Sequence, residues 1–239
     1  MSRILITIPT WNESCVIERT LELVRTAARA YLPMHEVLIE VVDNASTDGT
    51  ADIAECMGIR TMRLSEKGKG LAIRRSWEGH LSGTDILVFT DADLAADLSA
   101  LPRLIEPIVS DVADIVCGSR FVEGARTERR MSREIASRLY RILQKTVLHL
   151  PVSDAQCGFK AVSVEAAKKV LPSCMEKGWM FDSEFLAMAA VQKARIREIP
   201  VTWIEHRDPG RRSAISLLTH GWGFLLGLAK IKARIQRLG

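Results

Sequence analysis

Asp91 and Asp93 stand one alanine apart in TDADL, directly after the apolar run ILVFT. Two neighbouring carboxylates at the mouth of a buried strand raise each other's cost of ionisation. A divalent cation bridging a diphosphate reverses that penalty, so the pair makes chemical sense as a metal site. A DxD pair also occurs at ordinary strand ends and turns. Its meaning depends on what the other strand ends carry.

In VVDNASTDGT, Asp43 follows a second apolar run, where a carboxylate can accept hydrogen bonds from a nucleobase or ribose. Ser46, Thr47 and Asp48 behind it read as caps for the next helix. EKGKG supplies glycines that permit close backbone approach and a lysine, Lys69, able to meet phosphate. Its spacing is neither that of a Walker loop nor that of a GxGxxG fingerprint.

These residues need elements to position them. Strands are expected at 4–8, 37–42, 60–63, 86–90 and 115–118, with helices at 16–30, 50–57 and 71–80 by apolar spacing. Near-continuous apolar strands alternating with helices predict an α/β fold with a mostly parallel sheet covered on both faces. Ligands then bind beyond the carboxyl ends of the strands, and the chemistry-bearing residues follow those ends. The 239 residues, 47% hydrophobic, suffice for one substantial core, and no linker or internal repeat divides them. The formal charge of +4 does not point to nucleic acid, although basic residues gather at 126–141 and 207–237. Five widely spaced cysteines without a CxxC pair suggest neither a disulfide framework nor a zinc site, and fit a reducing cytoplasm. No charged and apolar leader precedes the first strand, so no secretory signal is expected.

In order, PTWNE, VVDNASTDGT, EKGKGLAIRRSW, FTDADL, GSRF and DAQCGFK resemble the family 2 glycosyltransferases of the GT-A fold, over residues 4–213. More narrowly they resemble the branch that moves one sugar from a nucleotide donor to a polyprenyl phosphate. That branch includes dolichyl-phosphate mannose synthases and, closer at DAQCGFK and GWMFDSEF, dolichyl-phosphate β-glucosyltransferases. The resemblance implies a single GT-A domain at 1–212, with a Rossmann-like nucleotide-binding half, and apolar spacing makes the remaining 213–239 an amphipathic helix. It assigns Pro9, Trp11, Glu13 and Asp43 to base and ribose, and Asp91, Ala92 and Asp93 to the donor diphosphate. Mg or Mn would sit on Asp91 and Asp93. Arg120 would stand near the phosphates, a role suited to a guanidinium fork. Asp154, Gln156, Asp182 and Glu184 would contact the sugar. Arg133 and Ser137 would hold the lipid phosphate.

Two positions depart from the family pattern. Ala95 stands where mannose synthases often carry a glutamine that helps hold the cation, and RDPGRRS replaces RxxGxSK in the late loop. Arg207, Arg211 and Arg212 are therefore the candidates to cover the diphosphate.

Helical spacing describes the acceptor side. Met131, Ile135, Leu139, Ile142 and Leu143 form an apolar stripe, with Arg130, Arg133, Ser137, Arg141 and Lys145 on another. A phosphate monoester is largely dianionic at neutral pH and needs no strong general base. Positioning and charge stabilisation then suffice for inverting attack. No run of about 20 apolar residues is present. Near the end, Leu218, Trp222, Leu225, Leu228 and Ile235 share a broad face, with Lys230, Arg234 and Arg237 opposite. Such a helix suits the headgroup layer of a membrane, and equally packing on the domain or on a membrane-embedded partner; an acceptor in the bilayer favours the cytoplasmic face of a membrane. The expected reaction is hexose transfer from UDP-glucose, or next GDP-mannose, to a polyprenyl phosphate. The alternatives are a transferase with a soluble acceptor and a nonenzymatic nucleotide-sugar binding subunit.

Overall fold

Ile4, Ile6 and Ile8 of β1 (Arg3–Thr10) pack into one core and Leu5 into another, the period of two expected of a strand covered on both faces. The computed structural model describes residues 1–128, 141–204 and 217–237. After β1 come α1 (Ile17–Tyr31), β2 (Glu36–Asn44), α2 (Thr50–Cys56), β3 (Arg60–Leu64), α3 (Lys69–His80), β4 (Ile86–Thr90), α4 (Leu101–Val109), β5 (Ile115–Ser119) and β6 (Arg126–Glu128). Helical residues 141–148 (α5) lead to β7 (Phe159–Ser163), α6 (Val164–Val170), α7 (Phe181–Val191), β8 (Ile196–Pro200), β9 (Thr202–Ile204) and α8 (Leu217–Gln236).

Seven strands form one sheet in the order β3-β2-β1-β4-β7-β5-β8. Only β7 runs antiparallel to its neighbours, pairing Thr90 with Phe159 and Cys117 with Lys160. A mostly parallel α/β sheet is therefore present. Strands β6 and β9 pair separately. Helix α1 buries Ile17, Thr20, Leu21, Val24, Ala27 and Ala28 at steps of three and four, and covers one face together with α4. Trp77 of α3, Phe185 of α7 and Leu228 of α8 fill the other core.

The five expected strands and three expected helices form, each within two residues of its expected ends. Strands β7 and β8 are not among those expected: a lysine interrupts FKAVS, and IREIP, an edge strand, sets Arg197 and Glu198 side by side. The helical stripes also need correction. In α5, Leu143 packs inward as expected, but Ile142 is exposed while Gln144 is buried. In α8, Leu228, Ile231 and Ile235 pack on the second core, whereas Leu225 faces out and Arg234 turns inward to Glu176 and Glu184. The side chains of Leu218 and Trp222 lie outside those described.

Candidate active site at the carboxyl edge of the sheet

Asp91 leaves β4 at the edge where β1 and β2 also end. Its amide donates to the Gly158 carbonyl at 3.1 Å, and a β-carbon on Gly158 would overlap its carboxylate. Asp91 Oδ1 lies 2.6 Å from Lys69 Nζ, at the first turn of α3. Lys69 also stands 3.9 Å from Asp182, which in turn pairs with Lys160 at 2.6 Å. The result is an alternating row, Asp91, Lys69, Asp182 and Lys160, with all but Asp91 nearly sealed from solvent. Burial pushes the Asp91 carboxyl above its ordinary range, and Asp93 and Asp182 add to this while Lys69 opposes it. Burial would lower the Lys69 and Lys160 ammonium groups, yet their carboxylate partners outweigh it and keep both cationic.

Asp93 accepts the Ala95 amide at 3.2 Å, closing a turn in which Leu94 takes φ 47°. Asn12 (φ 53°) and Ala45 (φ 57°) occupy the same left-handed region just after β1 and β2. Backbone held this way at three adjoining strand ends is characteristic of ligand-binding edges. Ala95 itself is buried in the first core, so this position is given to packing.

The loops after β1 and β2 brace each other. Asn12 and Ser14 amides donate to Ser46 Oγ and Asp48 Oδ2, Glu13 donates to Thr50 Oγ1, and Thr47 donates to Asn12 Oδ1. Ser46, Thr47 and Asp48 thus secure the PTWNE turn, and Asp48 Oδ1 also accepts the Thr50 amide at 3.1 Å at the start of α2, behind Gly49 at φ 86°. Pro9 and Asp43 are buried beside this turn. Asp43 Oδ2 accepts the Ser46 amide, and its Oδ1 has no hydrogen-bond partner among the described residues. Trp11 is half-exposed, with Lys67 Nζ 2.8 Å from its ring centroid. Ala92 is buried, and its carbonyl accepts from Thr20.

Arg120 and Asp154, expected on different ligands, are each other's partner. Nε and Nη2 of Arg120 donate to the two Asp154 oxygens at 2.7 Å each, and the guanidinium lies 4.7 Å from the Trp203 ring centroid. Burial raises the Asp154 carboxyl, but the Arg120 charge and hydrogen bonds outweigh it and hold it below the usual range. Glu184 likewise has no open carboxylate. Its oxygens meet the Met175 and Glu176 amides and Arg234. Gln156 donates to Ser183 at 2.8 Å. Arg133, Ser137, Arg207, Arg211 and Arg212 lie outside the described residues, as do Arg130 and the rest of residues 205–216. Lys160 escaped the sequence reading, although a lysine inside FKAVS was its signal: a charge in a buried strand needs a partner.

Among the described residues no group of three or more His, Cys, Asp or Glu side chains is assembled for a metal. Two carboxylates one residue apart are nevertheless a donor set that fits Mg or Mn, hard cations commonly held by one or two carboxylates with phosphate and water completing the shell.

Residues 5–171 match the family described as glycosyl transferase family 2. The chain belongs to this family. It is 30% identical to the glycosyltransferase AglD of Haloferax volcanii over 83% of this chain and 32% of that protein. It is 32% identical to an undecaprenyl-phosphate mannosyltransferase of Micrococcus luteus over 85% of this chain and 84% of the relative. A dolichyl-phosphate beta-glucosyltransferase of Dictyostelium discoideum is 30% identical over 82% and 65% of the two chains. The chain thus spans about a third of AglD and most of the Micrococcus protein. Glucosyl-3-phosphoglycerate synthase of Mycobacterium tuberculosis, solved with Mn2+, UDP and phosphoglyceric acid, shares the fold, with a TM-score of 0.69 and 21% identity over 98% of this chain and 78% of that one. This family 2 glycosyltransferase therefore carries the GT-A-type sheet, with its carboxylate pair at the expected strand end.

Proposed function

We propose that the protein transfers one hexose from a nucleotide sugar to a polyprenyl phosphate, inverting the anomeric carbon. The observation that carries this reading is Asp91, seated on Gly158 and paired with the enclosed ammonium of Lys69, two residues before Asp93 at the end of β4. The acceptor class is supported by relatives named for undecaprenyl and dolichyl phosphate. UDP-glucose is the favoured donor and GDP-mannose the next, from the likeness of DAQCGFK and GWMFDSEF to the glucosyltransferase branch.

Pro9, Trp11, Glu13 and Asp43 hold the base and ribose, with the Trp11 ring as a stacking face. Asp91 and Asp93 hold Mg or Mn, which when bound supplies positive charge against the departing diphosphate. Lys69 adds a fixed cation at the same edge, and Arg207, Arg211 or Arg212 covers the diphosphate. Arg133 and Ser137 align the acceptor phosphate, whose dianion attacks without a general base. Asp182 and Gln156 face the sugar pocket, while Asp154 serves by fixing Arg120.

Among the described residues no helix is long and apolar enough to cross a membrane. The exposed Leu225 and Leu226 of α8 support association at a membrane surface, where the acceptor resides. The test is transfer of label into the organic phase from UDP-glucose and GDP-mannose separately, with purified protein, polyprenyl phosphate and Mg or Mn. Lipid-linked product from one donor is expected. Donor turnover without lipid product would replace the acceptor, and donor binding without any turnover would replace the reaction.

A further inference from the structure

Residues 174–180, the segment entering α7, are held from two sides. On one side is α8. Arg234 donates to Glu176 at 2.7 Å and lies 2.6 Å from Glu184, whose other oxygen accepts the Met175 and Glu176 amides at 2.8 and 2.6 Å. A β-carbon on Gly227 would run into the Met180 sulfur, so α8 approaches this segment at backbone distance. On the other side is the EKGKG loop. The Leu71 amide donates to the Lys177 carbonyl at 2.9 Å, Arg74 donates to the Cys174 carbonyl at 2.7 Å, and a β-carbon on Gly70 would overlap Phe181. The Trp179 ring centroid is 4.9 Å from Lys69 Nζ.

On the loop side the holding contacts are the Leu71 and Arg74 hydrogen bonds and the Gly70 packing. The Lys177–Glu66 pair joining the segment to the loop is exposed at both ends, at 60% and 61%, and such pairs hold little. Glu184 is fully enclosed, with one oxygen on the Met175 and Glu176 amides and the other 2.6 Å from Arg234, and removing one partner from such an enclosed charge is costly. The segment is therefore held by α8 through Arg234 and Glu184 and, through the Lys177 and Cys174 carbonyls, backs the loop and helix that deliver Lys69 to Asp91.

We propose that Arg234 and Glu184 are positioning residues for the donor site: through residues 174–180 they seat the EKGKG loop, so that the packing of α8 sets how Lys69 meets Asp91 and the donor diphosphate. Neither residue touches the donor. The proposal rests on the nucleotide-sugar reading above, and it links the helix nearest the membrane in that reading to the nucleotide end of the site.

The test uses the full chain carrying Arg234→Met, Arg234→Lys or Glu176→Gln, with two readouts: calorimetric titration of UDP and of GDP in the presence of Mn, and hydrogen exchange at the Leu71 amide. Arg234→Met is expected to weaken nucleotide binding about tenfold and to speed Leu71 exchange by a similar factor, with β4 amides unchanged. Arg234→Lys should recover part of both effects. Glu176 is only partly buried, so Glu176→Gln provides the same comparison, at smaller size, if Arg234→Met does not fold. Folded variants with wild-type affinity and wild-type Leu71 exchange would overturn the proposal. Wild-type protein that binds neither nucleotide would instead overturn the functional reading, while the exchange measurement still judges the linkage.

Discussion

Gly158 lies so close to Asp91 that any β-carbon there would occupy the space of the carboxylate, and its carbonyl accepts the Asp91 amide. The turn before β7 is thus the floor on which the carboxylate pair stands. Gly158→Ala has to move Asp91 or the backbone beneath it. Such overpacking costs about 1–3 kcal/mol, and a displaced reacting group costs on the order of 100-fold in rate. Urea unfolding and initial transfer rates should show a modest stability loss beside a large activity loss. Equal, small losses in both would mean that Asp91 accommodates the methyl.

Arg120 and Asp154 expose only 6% and 2% of their side chains. Asp154→Asn strands a buried cation, and breaking such a pair costs about 3–5 kcal/mol. Replacing both partners by apolar residues should cost less than the sum of the single changes. A double-mutant cycle on unfolding free energies measures this.

The same pair gives a pH signature. The folded-state pKa of Asp154 is depressed, so its contribution to stability is fully present above the unfolded carboxylate value of about 3.9 and is lost as pH falls through the folded value. The stability difference between wild type and Asp154→Asn should therefore be constant near neutrality and shrink in acid. Denaturant unfolding across that range checks the sign; a difference that grows in acid would assign the depressed carboxyl elsewhere.

Much of this was legible in the chain. Strands β1, β2 and β4 carry unbroken apolar runs, and the residues that follow them are the ones gathered at the edge. What escaped depended on pairing across the sequence. Asp154 reads as an open carboxylate until Arg120, 34 residues away, is seen to take both oxygens. Glu184 reads as a sugar contact until Arg234 is found on its other side. Helical spacing put Arg234 among the solvated residues because a salt bridge into the core has no periodicity. Strand β7 was hidden by Lys160, whose charge is matched by Asp182, 22 residues on.

Lys160→Met tests that buried match. It leaves Asp182 with Lys69 at 3.9 Å as its remaining cation, and the expected cost is again about 3–5 kcal/mol. Adding Asp182→Asn should recover part of it. If Lys160→Met is neutral in thermal and urea unfolding, Asp182 is satisfied by Lys69 alone.

Asp93 offers the cleanest separation of charge from fold. Its Oδ1 accepts the Ala95 amide, closing the turn in which Leu94 is left-handed. Asparagine can keep that hydrogen bond while removing the charge. Asp93→Asn should leave unfolding free energy within about 0.5 kcal/mol of wild type. Transfer should nevertheless fall at least about 100-fold, the scale for losing one pre-organised electrostatic group, and recover in part at high Mn. Asp93→Ala should add a loss of stability from the opened turn. Rates measured across a Mn titration, beside circular dichroism melts of the three proteins, separate the two roles. Asp93→Asn with wild-type rates and unchanged Mn dependence would place the cation elsewhere, leaving Asp93 as a turn residue.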